Sequence, residues 1–133
     1  MSIPGTYYYA TTVTKKEIMP TATYLHQWAT AFAITLALEA SVIIILLPRV
    51  SRIKLTATFL IANGTSHPFL WFAFPQFEPY AAWVVVAEVT ITSYEALLYW
   101  ATLRNRISLG KALLVSTLAN ATSCVLGLVI RAL

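Results

Sequence analysis

Residues 39–66 read EASVIIILLPRVSRIKLTATFLIANGTS, and residues 95–123 read EALLYWATLRNRISLGKALLVSTLANATS. Both segments follow one pattern: E-A, eight or nine residues, R-[V/I]-S-x-x-K, seven residues, then A-N-x-T-S. One additional residue before the central arginine explains the difference in length. Because the matches stay in register and include polar residues inside apolar runs, the pattern indicates a duplicated unit of two helices.

The composition of the chain places this unit in a membrane. Of 133 residues, 59% are hydrophobic and only 11% are charged, whereas a soluble domain carries about 25% charged residues. Crossing a bilayer core of about 30 Å requires roughly 20 apolar residues, and four runs have this length: residues 25–47, 55–74, 80–103 and 109–130. A soluble enzyme is therefore excluded, and the net charge of +4 does not indicate nucleic-acid binding.

Short connections between the four runs determine the predicted topology. Helices joined by a few residues pack as antiparallel neighbours. The sequence therefore predicts an all-α integral membrane four-helix bundle built from two tandem-repeated transmembrane hairpins. The first hairpin covers residues 25–75 and the second residues 76–133, and residues 1–24 form a polar surface segment. Both copies have the same direction, so their pseudo-twofold axis is expected along the membrane normal.

Basic residues indicate the orientation of the hairpins. The turns at the hairpin tips carry Arg49, Arg52, Lys54, Arg104, Arg106 and Lys111, and the opposite side carries Lys15, Lys16 and Arg131. Because cytoplasmic loops carry an excess of Lys and Arg, we expect four spans with both tips in the cytoplasm and both termini outside. Binding of anionic lipid headgroups is a second interpretation of the tip residues.

Each copy contains a carboxyl and an amide inside its apolar runs. Glu39 and Asn63 lie nine or ten residues from the tip charges, which places both about 14 Å from the cytoplasmic ends of their helices. Glu95 and Asn120 occupy the matching positions in the second copy. A charged Glu at this depth costs at least a few kcal/mol, so it is expected to face the bundle interior. The paired Asn can donate its amide hydrogens to it.

Two further polar residues depart from the duplication. Glu88 lies seven residues before Glu95 and is matched by Phe32, while His67, four residues after the first amide, is matched by Cys124. If the second and third helices touch, His67 and Glu88 could form a pair. This pair is interpreted as a buried hydrogen bond, a proton relay, or a metal or pigment ligand. Since no H-x-x-E or E-x-x-H spacing occurs, no metal site is predicted.

The polar set of Glu and Asn has three interpretations. It could lock the hairpins together through interhelical hydrogen bonds, conduct protons or cations, or hold a ligand or cofactor that the sequence does not name. The sequence contains no G-x-S-x-G, H-E-x-x-H or phosphate-binding glycine loop, so we assign no catalytic residues and do not expect an enzyme. Small residues, among them Gly64, Ser116 and Gly127, are expected to let helices approach closely.

Two functions follow from these features. The leading prediction is a non-enzymatic accessory or structural subunit of a larger membrane complex, with a buried Glu/Asn layer. The alternative is a small oligomeric transporter or channel that moves protons or cations through Glu39, Glu88, Glu95 and His67. A membrane enzyme or cofactor-binding unit that uses the same acids is a third. The expected partners are the lipid bilayer and other membrane subunits or further copies of the chain, and no nucleic acid.

Overall fold

Four helices make up the part of the chain that the computed structural model describes, residues 21–132. They are α1 (Thr21–Leu46), α2 (Arg52–Phe72), α3 (Tyr80–Leu103) and α4 (Leu109–Ala132), and no strand occurs within those residues. The all-α prediction is confirmed, and each helix matches a predicted apolar run to within a few residues. Of the predicted polar segment, residues 1–20 lie outside the described residues, and residues 21–24 form the first turn of α1.

The two turns that contain R-[V/I]-S start the next helix in the same way. The amide of Leu55 donates to the carbonyl of Ser51 at 2.9 Å, and the amide of Ala112 donates to the carbonyl of Ser108 at 3.0 Å. Ser108 additionally caps α4, because its Oγ accepts a hydrogen bond from the Lys111 amide at 3.2 Å. Each turn therefore reverses the chain, and we call this side of the bundle the tip end. The opposite side, where α1 begins and α4 ends, is the terminal end.

The helices pack in the order α1, α4, α3, α2 around the bundle, and α1 and α2 touch each other least. Matching positions of the two segments are nevertheless buried alike. The buried pairs are Glu39 and Glu95, Ile43 and Tyr99, Leu47 and Leu103, Val50 and Ile107, Leu55 and Ala112, Ala62 and Ala119, and Asn63 and Asn120. The two segments thus share a pattern of buried positions, although α3 packs on α4 more extensively than α1 packs on α2.

A cluster of buried hydrophobic side chains fills the bundle between the tips and the level of the buried carboxyls. We call it the tip core; it consists of Ile43, Leu47, Val50, Leu55, Phe59, Ala62, Tyr99, Leu103, Ile107, Ala112, Val115 and Ala119. Every one of these side chains is at most 9% exposed. All four helices contribute to the tip core, so it joins them at this end.

Three of the four helices, α1, α3 and α4, are long and apolar enough to cross a membrane. Helix α2 does not meet this criterion, because it starts with Arg52 and Lys54 and carries Asn63 and His67 among several hydroxyl residues. Many large apolar side chains face outward, for example Ile45, which is 72% exposed. Three of the four predicted spans are therefore apolar enough to cross a membrane, and the fourth, α2, stays a prediction.

The close approach of helices that was expected at Gly64 and Gly127 does not occur among the described residues. A Cβ added at Gly64 or Gly127 would meet no heavy atom of the described residues within 4 Å, so the expectation is wrong at both positions. It is right at Ser116, which is fully buried and donates its hydroxyl to the Thr92 carbonyl of α3 at 3.0 Å.

Truncation of the tip core provides a test of the packing. Leu47→Ala and Leu103→Ala remove equivalent buried side chains, and such changes cost about 2–5 kcal/mol in a packed core. We expect the lower end of that range, because lipid tails are as apolar as the lost contacts. Unfolding in increasing SDS, followed by circular dichroism, measures the loss. Ile45→Ala is the control and should cost little; an equal loss in all three variants would contradict the packing.

Candidate functional site

The carboxyl of Glu95 on α3 is fully hydrogen-bonded. Ser66 on α2 donates its hydroxyl to Oε1 at 2.7 Å, and Asn120 on α4 donates Nδ2 to Oε2 at 2.7 Å. Glu95 is 1% exposed, and the predicted bond between Glu95 and the amide of its own hairpin is present. Glu95 therefore ties three helices together.

The matching carboxyl of Glu39 on α1 has only one of its two oxygens bonded. Ser123 on α4 donates its hydroxyl to Oε1 at 2.9 Å, whereas Oε2 is buried and has no hydrogen-bond partner among the described residues. The side chain of Asn63 faces this carboxyl, but its amide hydrogen bond runs to the Phe59 carbonyl at 3.4 Å. The expected pair of Glu39 and Asn63 is present only as a looser contact than that of Glu95 and Asn120, which fits the sparse packing of α1 on α2.

Two serines that sequence reasoning did not assign to the site donate hydrogen bonds to the two buried carboxyls. Ser66 and Ser123 are the last residues of the two A-N-x-T-S motifs, and each one bonds the Glu of the other predicted hairpin. Each serine lies three residues after the Asn of its own motif, so the Ser and Asn side chains lie on the same face of their helix. This spacing occurs in both copies of the motif, and it is the feature of the sequence that could have assigned the two serines to the site.

His67 and Glu88 do not form the predicted pair. Within residues 21–132, His67 Nδ1 is buried and has no hydrogen-bond partner. Its ring packs between Phe32 and Trp71, with ring centroids at 4.9 Å and 6.1 Å. The Glu88 carboxyl instead faces the thiol of Cys124, the residue that matches His67 in the second segment.

A partly open cavity of about 90 Å³ connects these groups. It is lined by Thr35, Glu39, Asn63, Ser66, His67, Leu70, Glu88, Ile91, Asn120, Ser123 and Cys124, and we call it the polar cavity. A water molecule needs about 10–15 Å³ of such space and two to four polar partners, so the cavity has room for a few waters. Glu95 is not among the lining residues, because its carboxyl is enclosed by its hydrogen bonds.

The polar cavity shares lining residues with larger spaces toward the terminal end. Leu70 also lines a space of about 650 Å³, which we call the vestibule. The vestibule is formed by Tyr24, Gln27, Ala31, Leu70, Trp71, Gln76, Tyr80, Trp83, Gly127 and Ile130. Thr35 and Ser123 also line a groove between α1 and α4 of about 350 Å³. The tip core fills the opposite side, so the vestibule and this groove are the larger spaces that adjoin the polar cavity toward the terminal end.

Tyr99 is a third buried residue with an unpaired polar atom. It is 0% exposed, and its hydroxyl has no hydrogen-bond partner within the described part of the chain. Tyr99 lies one turn beyond Glu95 toward the tips and belongs to the tip core. Its counterpart in the first segment is Ile43. This difference between an apolar and a polar residue is the feature of the sequence that could have pointed to Tyr99.

The six basic residues predicted for the tips lie apart from this site. Arg49, Arg52, Lys54, Arg104 and Arg106 are exposed, and Lys111 is half-buried. None of them lines the polar cavity. Their assignment to topology or to lipid headgroups stays a prediction.

Comparison of the chain with protein-family models, with curated proteins and with solved structures gave no match. Over residues 21–132, no group of three or more His, Cys, Asp or Glu side chains is placed to hold a metal ion. The function is therefore argued from the geometry of the polar cavity.

The two amides provide a matched test of this geometry. Asn120→Ala removes a hydrogen bond to a buried carboxyl, and such losses cost about 1–2 kcal/mol. Asn63→Ala removes the same atoms but only a bond within its own helix and a looser contact with its carboxyl, so we expect a smaller loss of stability. SDS-induced unfolding of both variants measures the difference. Equal losses, or a larger loss at Asn63, would show that the asymmetry between the two carboxyls is incorrect.

Proposed function

We propose that the chain is a four-span membrane bundle of two tandem hairpins with cytoplasmic tips and external termini. The matched burial of the two segments supports a tandem repeat. Helix α2 supports a fourth span despite its polar residues, since its 21 residues extend about 31 Å and Asn63, Ser66 and His67 are all buried. The six tip residues support the orientation through the bias of Lys and Arg toward cytoplasmic loops.

Within this bundle, we propose that the polar cavity handles protons or cations, as in a small transporter or channel. One observation carries the proposal: Glu39 Oε2 and His67 Nδ1 are both buried without a hydrogen-bond partner in the described chain, and both residues line the polar cavity. An unpaired buried polar atom costs about 1–3 kcal/mol. A mobile proton, a cation or water that enters the polar cavity would satisfy both atoms.

The duplicated carboxyls are assigned different roles. Glu95 accepts bonds from two other helices and is closed off from the polar cavity, so it serves stability. Glu39 keeps one buried oxygen without a hydrogen-bond partner among the described residues, and it lines the polar cavity together with Glu88 and His67. Structural and transport interpretations of the Glu residues are thus compatible, because each applies to a different copy.

The proposed path starts at the terminal end. A proton or cation enters through the vestibule or the groove between α1 and α4 and reaches the free oxygen of Glu39. His67 Nδ1 is a second acceptor at the same lining, and Glu88 a third. Release toward the tips requires the tip core to open, and Tyr99 is the polar side chain between the carboxyl level and that end.

An accessory subunit remains a second candidate, on a different observation. The exchanged bonds from Ser66 to Glu95 and from Ser123 to Glu39 tie the two predicted hairpins together. A bundle closed in this way, with large apolar side chains exposed on its outer surface, suits a passive component of a larger assembly. In that case the unpaired atoms of the polar cavity have no transport role.

Flux measurements on matched carboxyl variants distinguish the two candidates. The full chain is reconstituted in liposomes, and proton and Na⁺ entry are followed after a potential or a gradient is imposed. We expect flux above that of empty liposomes. Glu39→Gln should reduce it at least tenfold, because Gln still accepts the Ser123 bond but cannot carry a proton or a charge.

Glu95→Gln is the control, since it changes the same chemical group in the copy that is closed off from the polar cavity. It should retain most of the flux, provided that circular dichroism shows the same helix content. Wild-type liposomes that conduct no more than empty ones would contradict transport and favour the accessory subunit. Equal losses in both Gln variants would contradict the division of roles.

A further inference from the structure

The vestibule above the polar cavity has walls of aromatic and amide side chains. Tyr24, Trp71, Tyr80 and Trp83 supply the rings, and Gln27 and Gln76 supply the amides. Its volume of about 650 Å³ lies in the range of pockets that hold small organic molecules, about 300–1,000 Å³. Protons and metal cations do not need such a space, so its size points to a larger ligand.

Hydrogen bonds and ring contacts hold these walls in place. The Tyr24 hydroxyl donates to the Trp71 carbonyl at 2.7 Å, and Trp83 Nε1 donates to the Pro75 carbonyl at 3.1 Å. The rings of Tyr24 and Trp71 lie 5.5 Å apart, and those of Tyr80 and Trp83 stack at 5.7 Å. Side chains fixed in this way lose little freedom when a ligand binds, which favours affinity.

The charges around the vestibule favour a cation. An adjoining pocket of about 360 Å³ shares Tyr80 and Trp83 with the vestibule and contains the exposed carboxylate of Glu78. Glu39 and Glu88 line the polar cavity on the inner side. Among the described residues that line the vestibule, none is basic. Aromatic faces attract cations through their quadrupole, most strongly for quaternary ammonium groups and for Trp.

We propose that the vestibule binds an organic cation with an aromatic or otherwise apolar body, and that the polar cavity supplies its counter-charge through Glu39. The apolar body lies against the rings, and the charge points inward past Leu70, which lines both spaces. This inference deepens the proposed function by naming the substrate class of the same site.

Two probes of the same shape and opposite charge test the inference. Equilibrium dialysis of the purified full chain in detergent, with protein-free micelles as the blank, measures binding of tetraphenylphosphonium and of tetraphenylborate. We expect saturable binding of tetraphenylphosphonium with at least tenfold preference over tetraphenylborate. Glu39→Gln should weaken binding of the phosphonium at least tenfold and leave the borate unchanged.

A pair of glycine variants tests whether the organic cation binds in the vestibule. Gly127 lines the vestibule, whereas Gly64 does not, and neither position has an atom within 4 Å of an added Cβ. Gly127→Leu should therefore fold and weaken tetraphenylphosphonium binding at least tenfold, while Gly64→Leu should bind as the wild type does. If Gly127→Leu fails to fold, Trp83→Leu replaces it and is compared with Trp100→Leu, which lies outside the vestibule.

Three results would overturn the inference: no saturable phosphonium binding, equal binding of the borate, or equal effects of the two glycine variants. Its failure is distinguishable from failure of the proposed function. Proton or Na⁺ flux that depends on Glu39, without phosphonium binding, retains the proposed function and removes the organic cation. Phosphonium binding that persists in Glu39→Gln without any flux removes both the counter-charge and transport.

Discussion

The carboxyl of Glu95 is the constraint on which the rest of the bundle depends. Both of its oxygens accept short hydrogen bonds, one from Ser66 on α2 and one from Asn120 on α4. A buried carboxyl left without donors would be strongly destabilising, so these three helices can pack only in a register that brings the donors to Glu95. That register also places Ser123, one turn beyond Asn120, beside Glu39 on the remaining helix.

The same arrangement leaves the two duplicated carboxyls with different hydrogen bonding. Packing between α1 and α2 is sparse, and Asn63 therefore does not complete the second carboxyl as Asn120 completes the first. Glu39 keeps one oxygen without a hydrogen-bond partner among the described residues, and it lines the polar cavity together with Glu88 and His67. In the proposed function, a Glu39 that was hydrogen-bonded in the same way as Glu95 would have no oxygen left to bind a proton or a cation. The departure from symmetry supplies the site.

How far the sequence predicts this structure depends on the kind of signal. Long apolar runs and the duplicated motif predict the helices, the turns and the depth of the two carboxyls, because spacing along a helix converts directly into distance. How closely the Asn63 amide approaches the Glu39 carboxyl could not be predicted in the same way, since it depends on the distance between two particular helices. The partner of Glu88, Cys124, is likewise set by the order of helices around the bundle, which periodicity does not contain.

Access to the polar cavity from one end is the central claim, and the chain's single cysteine tests it most directly. Cys124 lines the polar cavity, so a membrane-impermeant methanethiosulfonate should modify it from the terminal side of sealed vesicles and not from the tip side. A Cys124→Ser, Ile43→Cys double variant moves the thiol into the tip core, and we expect it to react from neither side. Modification of Cys124 from the tip side, or equal reactivity at position 43, would contradict the account.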